Sequence, residues 1–174
     1  MGSRREKKAI VFVCKGNIHR SAIAEQVFRR ILNAHGLDNR FRVLSRGIQG
    51  SAGTKPTTHK NITKYKEWEA AKPSLEEFGI DITRHEAKPI TKSVASRAAV
   101  IIAFDRIILE EDEVALLRQF PQLKGKIHLL SELDGNMEDV QDCQGKQDSV
   151  FQAVTKRIHD TLTNHWEKLI GWTG

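Results

Sequence analysis

Residues 9–14 (AIVFVC) run apolar without a break and are followed at once by Lys15, Gly16 and Asn17. A continuous apolar run of this length is what a strand buried on both faces requires, and such strands belong to parallel sheets covered by helices. Downstream, Ala22, Ile23, Val27, Phe28, Ile31 and Leu32 recur at helical spacing, and Gly36 is placed to end that helix. A buried strand that turns through a short glycine-containing loop into a helix is the opening of a βαβ unit, so the chain is constrained towards an α/β fold.

The rest of the chain continues that alternation. Residues 41–45, 98–104 (AAVIIAF) and 126–130 (KIHLL) read as three further strands. Residues 75–78 are helical up to Gly79, 93–97 form a short helix, and 107–117 a longer one. In the last helix Val150, Val154, Ile158, Leu162, Trp166 and Leu169 fall three or four residues apart, a stripe that packs on the core. From Gly47 to about Glu69 apolar periodicity fades and turn-forming residues accumulate, so a long loop is expected there, with a basic insertion at about 48–69. Loops of that length in compact domains are more often functional than not.

At 174 residues the chain is long enough for one domain with its own core, here placed at 9–174 behind a basic tail at 1–8. Its net charge of +6 is concentrated in that tail (Arg4, Arg5, Lys7, Lys8) and in the segment bearing Lys55, Lys60, Lys64, Lys66 and Lys72. A nucleic-acid binder spreads its basic residues over a face or groove, so a nucleic-acid partner is not expected. No apolar run approaches the roughly 18 residues that span a bilayer, which points away from a membrane and towards a soluble, cytoplasmic protein. Two cysteines, Cys14 and Cys143, are too few for a disulfide framework or a cysteine-rich metal site, so no metal is expected.

Cys14-Lys15-Gly16-Asn17-Ile18-His19-Arg20-Ser21 carries the chemistry. A strand, a loop holding Gly and Asn, and a helix N-terminus together make a cradle for an oxyanion, because backbone N–H groups point inward and the helix dipole adds positive potential. Gly16 and Asn17 tolerate the left-handed backbone such a nest demands. Arg20 offers a planar fork suited to two phosphate oxygens. Cys14 ends the strand, where open parallel sheets hold their ligands, and the surrounding positive potential favours its nucleophilic thiolate form. Ser21 is placed to donate a hydrogen bond to that sulfur.

Residues 11–28 (VFVCKGNIHRSAIAEQVF) closely resemble the phosphate-binding signature of the low-molecular-weight protein tyrosine phosphatases. Residues 42–47 (RVLSRG) resemble that family's second strand, 78–90 (FGIDITRHEAKPI) its Gly-Ile segment and following loop, and 100–105 (VIIAFD) its third strand with a closing Asp. The resemblance implies a three-layer α/β/α fold with a four-stranded parallel sheet, order 2-1-3-4, and a phosphate-binding loop after strand 1. It implies a cysteine-dependent phosphomonoester hydrolase, most simply a protein tyrosine phosphatase, that uses no cofactor and takes a phosphorylated protein or small phosphomonoester as substrate.

Residue by residue, the resemblance implies that Cys14 is the nucleophile and that Lys15, Gly16, Asn17, Ile18, His19 and Arg20 bind phosphate. Ser21 and His85 support the loop. An alkoxide or phenolate leaves poorly without a proton, so a general acid is also needed. Asp142 stands where the family carries its Asp-Pro motif, nine residues before the aromatic Phe151, with Cys143 in place of the proline. Asp139 is the competing carboxylate. His19 replaces a second cysteine common in the family and is expected to pack behind the loop, while Asp105 is read as a helix N-cap. Tyr65 and Trp68, on the basic insertion, are candidates for selecting substrate. Ile at position 18 goes with phosphotyrosine in this family, and Thr there with phosphoarginine. Three alternatives remain: a phosphoarginine phosphatase, a non-catalytic phosphate- or nucleic-acid-binding module, and an arsenate reductase of the same fold. The last needs further cysteines after the third strand, and residues 80–120 contain none.

Overall fold

The computed structural model describes residues 5–174, so Arg4 of the basic tail lies outside the described residues. Four strands, β1 (Lys8–Cys14), β2 (Phe41–Gly47), β3 (Ala98–Ala103) and β4 (Ile127–Leu129), form one parallel sheet in the order β2-β1-β3-β4. From Ala9 onward β1 is buried at every residue, as is most of β3. This is why those segments are apolar throughout, whereas the half-exposed β2 alternates Phe41, Val43 and Ser45 inward with Arg42 outward.

Among the described residues six α-helices surround the sheet: α1 (Arg20–Ala34), α2 (Trp68–Glu77), α3 (Lys92–Arg97), α4 (Leu116–Gln119), α5 (Ser131–Asp134) and α6 (Asp148–Gly171). Both α1 and α2 pack against α6. Because the chain runs from β1 outward to β2 and then crosses back to β3, β1 lies where the strand order reverses. Ligands of open α/β sheets bind at the carboxyl ends of strands at that point.

Two expected elements differ. The helix expected over 107–117 divides into a wide π-type turn (Ile107–Glu111), closed by Asp112 N–H donating to the Ile107 carbonyl, and the separate short α4. The segment 47–69 is held rather than loose. It contains a 3-10 turn at Ile62–Lys64, capped by the Asn61 side chain, and α2 begins inside it at Trp68 and tolerates Pro73 in its interior. Asn61 Nδ2 also donates to the carbonyls of Ile82, Thr83 and His85 (2.7–3.1 Å), fastening the segment to the loop that carries His85. Fixed by side-chain bonds to a distant loop, the segment shows no apolar period to betray its order.

Candidate active site

Cys14 Sγ sits at the end of β1 with two donors directed at it: Asn17 N–H at 3.2 Å and Ser21 Oγ at 2.9 Å. Ser21 Oγ accepts from Asn17 Nδ2 (2.8 Å), which leaves its own proton free for the sulfur.

Asn17 fixes the loop. It is wholly buried with φ of 57°, a left-handed conformation that Asn tolerates better than most residues. Its Oδ1 accepts from Lys88 N–H (3.0 Å) and its carbonyl from His85 Nε2 (2.7 Å), so His85 carries its proton on Nε2. His85 is braced behind by Glu25 at 3.8 Å, whose carboxylate accepts from Ser45. Gly47, which pairs with Cys14, approaches the loop so closely that a Cβ there would lie 2.7 Å from the Lys15 carbonyl oxygen. Only glycine fits without moving backbone.

Beyond β2 the N–H groups of Ile48 and Gln49 bind the Cys14 and Lys15 carbonyls. The amides of Lys15, Gly16, Ile18, His19 and Arg20, in contrast, donate no hydrogen bond among the described residues. A set of open donors ending at the N-terminus of α1 is what a tetrahedral oxyanion requires.

Arg20 is 3% exposed and held from behind. Its Nη1 donates to Asp105 Oδ2 (2.6 Å) and to the Val140 carbonyl (2.8 Å), while Nη2 faces Asp142 Oδ2 at 3.8 Å. Burial alone would lower the Arg20 pKa; Cys14, Asp105 and Asp142 outweigh it and hold the pKa above its usual value. Asp105 does cap the following turn, accepting from Ile108 N–H (2.8 Å), yet its second oxygen orients the guanidinium. The capping function was legible from sequence. The partner 85 residues away was not.

Asp142 and Asp139 separate cleanly. Asp142 lines a cleft of about 340 Å³ that also contains Cys14, Arg20 and Ile18. Asp139 lies outside that cleft, 3.9 Å from Arg106. Cys143 lines the cleft as well, but burial, with Asp142 adding to it and Arg20 opposing, pushes its thiol up to about 12. It is a poor nucleophile near neutral pH.

His19 packs its ring edge-on against Phe151 (5.0 Å), as the packing reading expects. Burial first, and Arg20 second, hold its pKa at about 3 against a small opposing effect of Asp142, so the ring is neutral. Tyr65 lines the cleft, its hydroxyl bonded to the His59 backbone. Trp68 does not line it and packs partly buried on the core from the first turn of α2. Thr57, Thr58, Gln49 and Glu67, none of them singled out by sequence, complete that wall.

An open-amide nest around a cysteine, an inward arginine and a facing carboxylate, placed at the strand-order reversal of a parallel sheet, define a phosphatase of the cysteine-dependent class. The chain belongs to the low molecular weight phosphotyrosine protein phosphatase family, whose model matches residues 9–170. It is 31% identical over 129 residues, 74% of each chain, to the low molecular weight phosphotyrosine protein phosphatase of Gallus gallus. It is 27% identical to the protein-arginine-phosphatase of Bacillus subtilis, over 88% of this chain and 91% of that one. Among solved structures, the low molecular weight protein tyrosine phosphatase from T. tengcongensis superposes with a TM-score of 0.73 at 26% identity, covering 93% of this chain and 99% of that one. No described helix is long and apolar enough to cross a membrane.

Proposed function

We propose that the protein hydrolyses phosphotyrosine monoesters through a cysteinyl-phosphate, with Cys14 as nucleophile, Arg20 and the loop amides as phosphate ligands and Asp142 as general acid and base. Cys14 sulfur attacks phosphorus in line and the P–O bond to the leaving oxygen breaks as Asp142 delivers its proton. Asp142, now a carboxylate, then removes a proton from water as that water attacks the cysteinyl-phosphate, releasing inorganic phosphate and the thiolate. The open amides and the Arg20 edge stabilise the equatorial oxygens throughout. The observation that carries this reading is the convergence of two donors on Cys14 Sγ at the floor of a cleft whose opposite side holds Asp142, 3.8 Å from Arg20.

Phosphotyrosine is favoured over phosphoarginine by the walls. Ile18 presents a β-branched apolar side chain beside the phosphate position, and Tyr65 faces the same cleft, surfaces that suit a phenyl ring. The Bacillus subtilis relative makes phosphoarginine the second reading. Lysines 55, 60, 64 and 66, on the segment that supplies Thr57, Thr58, Ile62 and Tyr65 to the cleft, favour acidic phosphoprotein substrates, and a reducing cytoplasm suits an enzyme whose nucleophile must remain a thiol. With only Cys14 and Cys143 in the chain, the relay of thiols used by an arsenate reductase is not supported. Phosphate release from phosphotyrosine, phosphoarginine and phosphoserine peptides, measured side by side, tests the reading. Phosphotyrosine should be preferred, and a higher kcat/KM for phosphoarginine would reverse the assignment.

A further inference from the structure

The loop that carries Asp142 is fixed at its two ends, by Val140 at the start and by the first turn of α6 after Gln147, and is exposed between them. Val140 donates its N–H to the Phe104 carbonyl (2.8 Å) and accepts from Arg20, and Cys143 is buried. Beyond Cys143, residues 144–149 are exposed. Most hydrogen bonds in that stretch stay within it: Gln144 N–H to Asp142 Oδ1 and Lys146 N–H to the Cys143 carbonyl. Gln147 joins the stretch to α6, its carbonyl accepting from Val150 and Phe151 N–H; among the described residues, the one hydrogen bond from 144–146 to a distant element is Gly145 N–H to Glu67 Oε1 at 3.1 Å. Gly145 has φ of 71°, a conformation that favours glycine and turns this N–H towards Glu67.

Glu67 is well placed to receive it. It is the residue preceding α2, where its negative charge is favoured by the helix dipole, and its side chain caps nothing in its own helix. Like Asp142, it lines the cleft. The bond therefore ties the acid's loop to a second cleft-lining residue at the start of a helix packed on α6.

Resting on the acid assignment to Asp142, we propose that Glu67 is a positioning residue: through Gly145 it holds the Asp142 loop closed so that the carboxyl is aligned with the leaving oxygen. It touches no reacting atom. A group that acts only by aligning an acid matters in proportion to the proton the leaving group needs.

The test measures kcat/KM over aryl phosphates whose phenols span a range of pKa, with the full chain and the melting temperature of each variant recorded. Glu67→Ala should lose about tenfold on phenyl phosphate, roughly the worth of one hydrogen bond to a charged group, and less than about twofold on dinitrophenyl phosphate. Glu67→Gln keeps a carbonyl acceptor for Gly145 and should restore the unsubstituted profile. Added to Asp142→Asn, Glu67→Ala should cost nothing further, because the alignment has lost its object. Equal losses across the series, or additive losses in the double variant, would overturn the proposal in favour of a merely structural contact. Asp142-dependent hydrolysis indifferent to Glu67 would overturn the latch alone. Hydrolysis indifferent to Asp142 as well would overturn the acid assignment and the latch together.

Discussion

Asn17, at the centre of the phosphate loop, is fully buried and bonded to Cys14, Ser21, His85 and Lys88. Asp142, across the same cleft, leaves 49% of its side chain exposed and reaches Arg20 only at 3.8 Å. The half of the site that must bind an oxyanion is thus fixed before substrate arrives, as electrostatic stabilisation demands. The half that moves a proton is held by fewer and more exposed bonds, as suits a group that must accept leaving groups of differing shape. Changes to the phosphate-loop side should therefore cost both fold and chemistry, and changes to the acid side chemistry alone.

The sharpest way to break that contrast is Asp105→Ala. It leaves the Arg20 guanidinium buried beside a lost partner, and removing one member of a buried pair costs about 3–5 kcal/mol. Urea unfolding should show that loss together with weakened inhibition by inorganic phosphate. A change under about 1 kcal/mol, the worth of an exposed pair, would mean that the Val140 carbonyl and Asp142 suffice to hold Arg20 without Asp105.

On the other side, Asp142→Asn should lower kcat/KM for phenyl phosphate by about 10²- to 10⁴-fold, and less for p-nitrophenyl phosphate, whose leaving group needs little protonation. Stability should move by no more than about 0.5 kcal/mol, as for exposed positions generally. Asp139→Asn should leave the leaving-group dependence as it was. The reverse pattern between the two aspartates would move the acid to Asp139.

His19 gives a smaller effect with a pH signature. Its folded pKa of about 3 lies below the ordinary 6.5, so between those values the unfolded chain binds the extra proton and stability falls as pH falls. The expected slope is about 1.4 kcal/mol per pH unit below 6.5, on top of whatever the carboxylates contribute. His19→Leu should flatten chemical-denaturation stability between pH 6.5 and pH 5. An unchanged slope would show that the ring finds a proton acceptor or solvent in the folded state.

What sequence could reveal divides along the same line. The phosphate loop is contiguous, so Cys14, Asn17, Arg20 and Ser21 were legible together, and the apolar runs of β1 and β3 disclosed their burial. Asp105 shows only its capping pattern in the sequence because its bond to Arg20 joins residues 85 apart. The need for glycine at position 47 comes from the Lys15 backbone, which no local pattern encodes. Tyr65 and Trp68 look alike in the sequence because both sit in one aromatic-bearing segment. The start of α2 turns Trp68 to the core and leaves Tyr65 at the cleft. Helical periodicity over 107–117 did not foresee a π-type turn, since the apolar positions match either winding.

The central claim, that Cys14 carries the phosphoryl group, is tested most directly by acid-quenching Asp142→Ala during turnover of p-nitrophenyl phosphate and mapping the modified peptide by mass spectrometry. If Asp142 is both acid and base, this variant should slow hydrolysis of the intermediate more than its formation from a good leaving group. The account predicts a phosphate on the peptide bearing Cys14, formed in step with a burst of p-nitrophenolate. Phosphate on any other residue, or a Cys14→Ser protein that hydrolyses this substrate as fast as the unsubstituted chain, would contradict it.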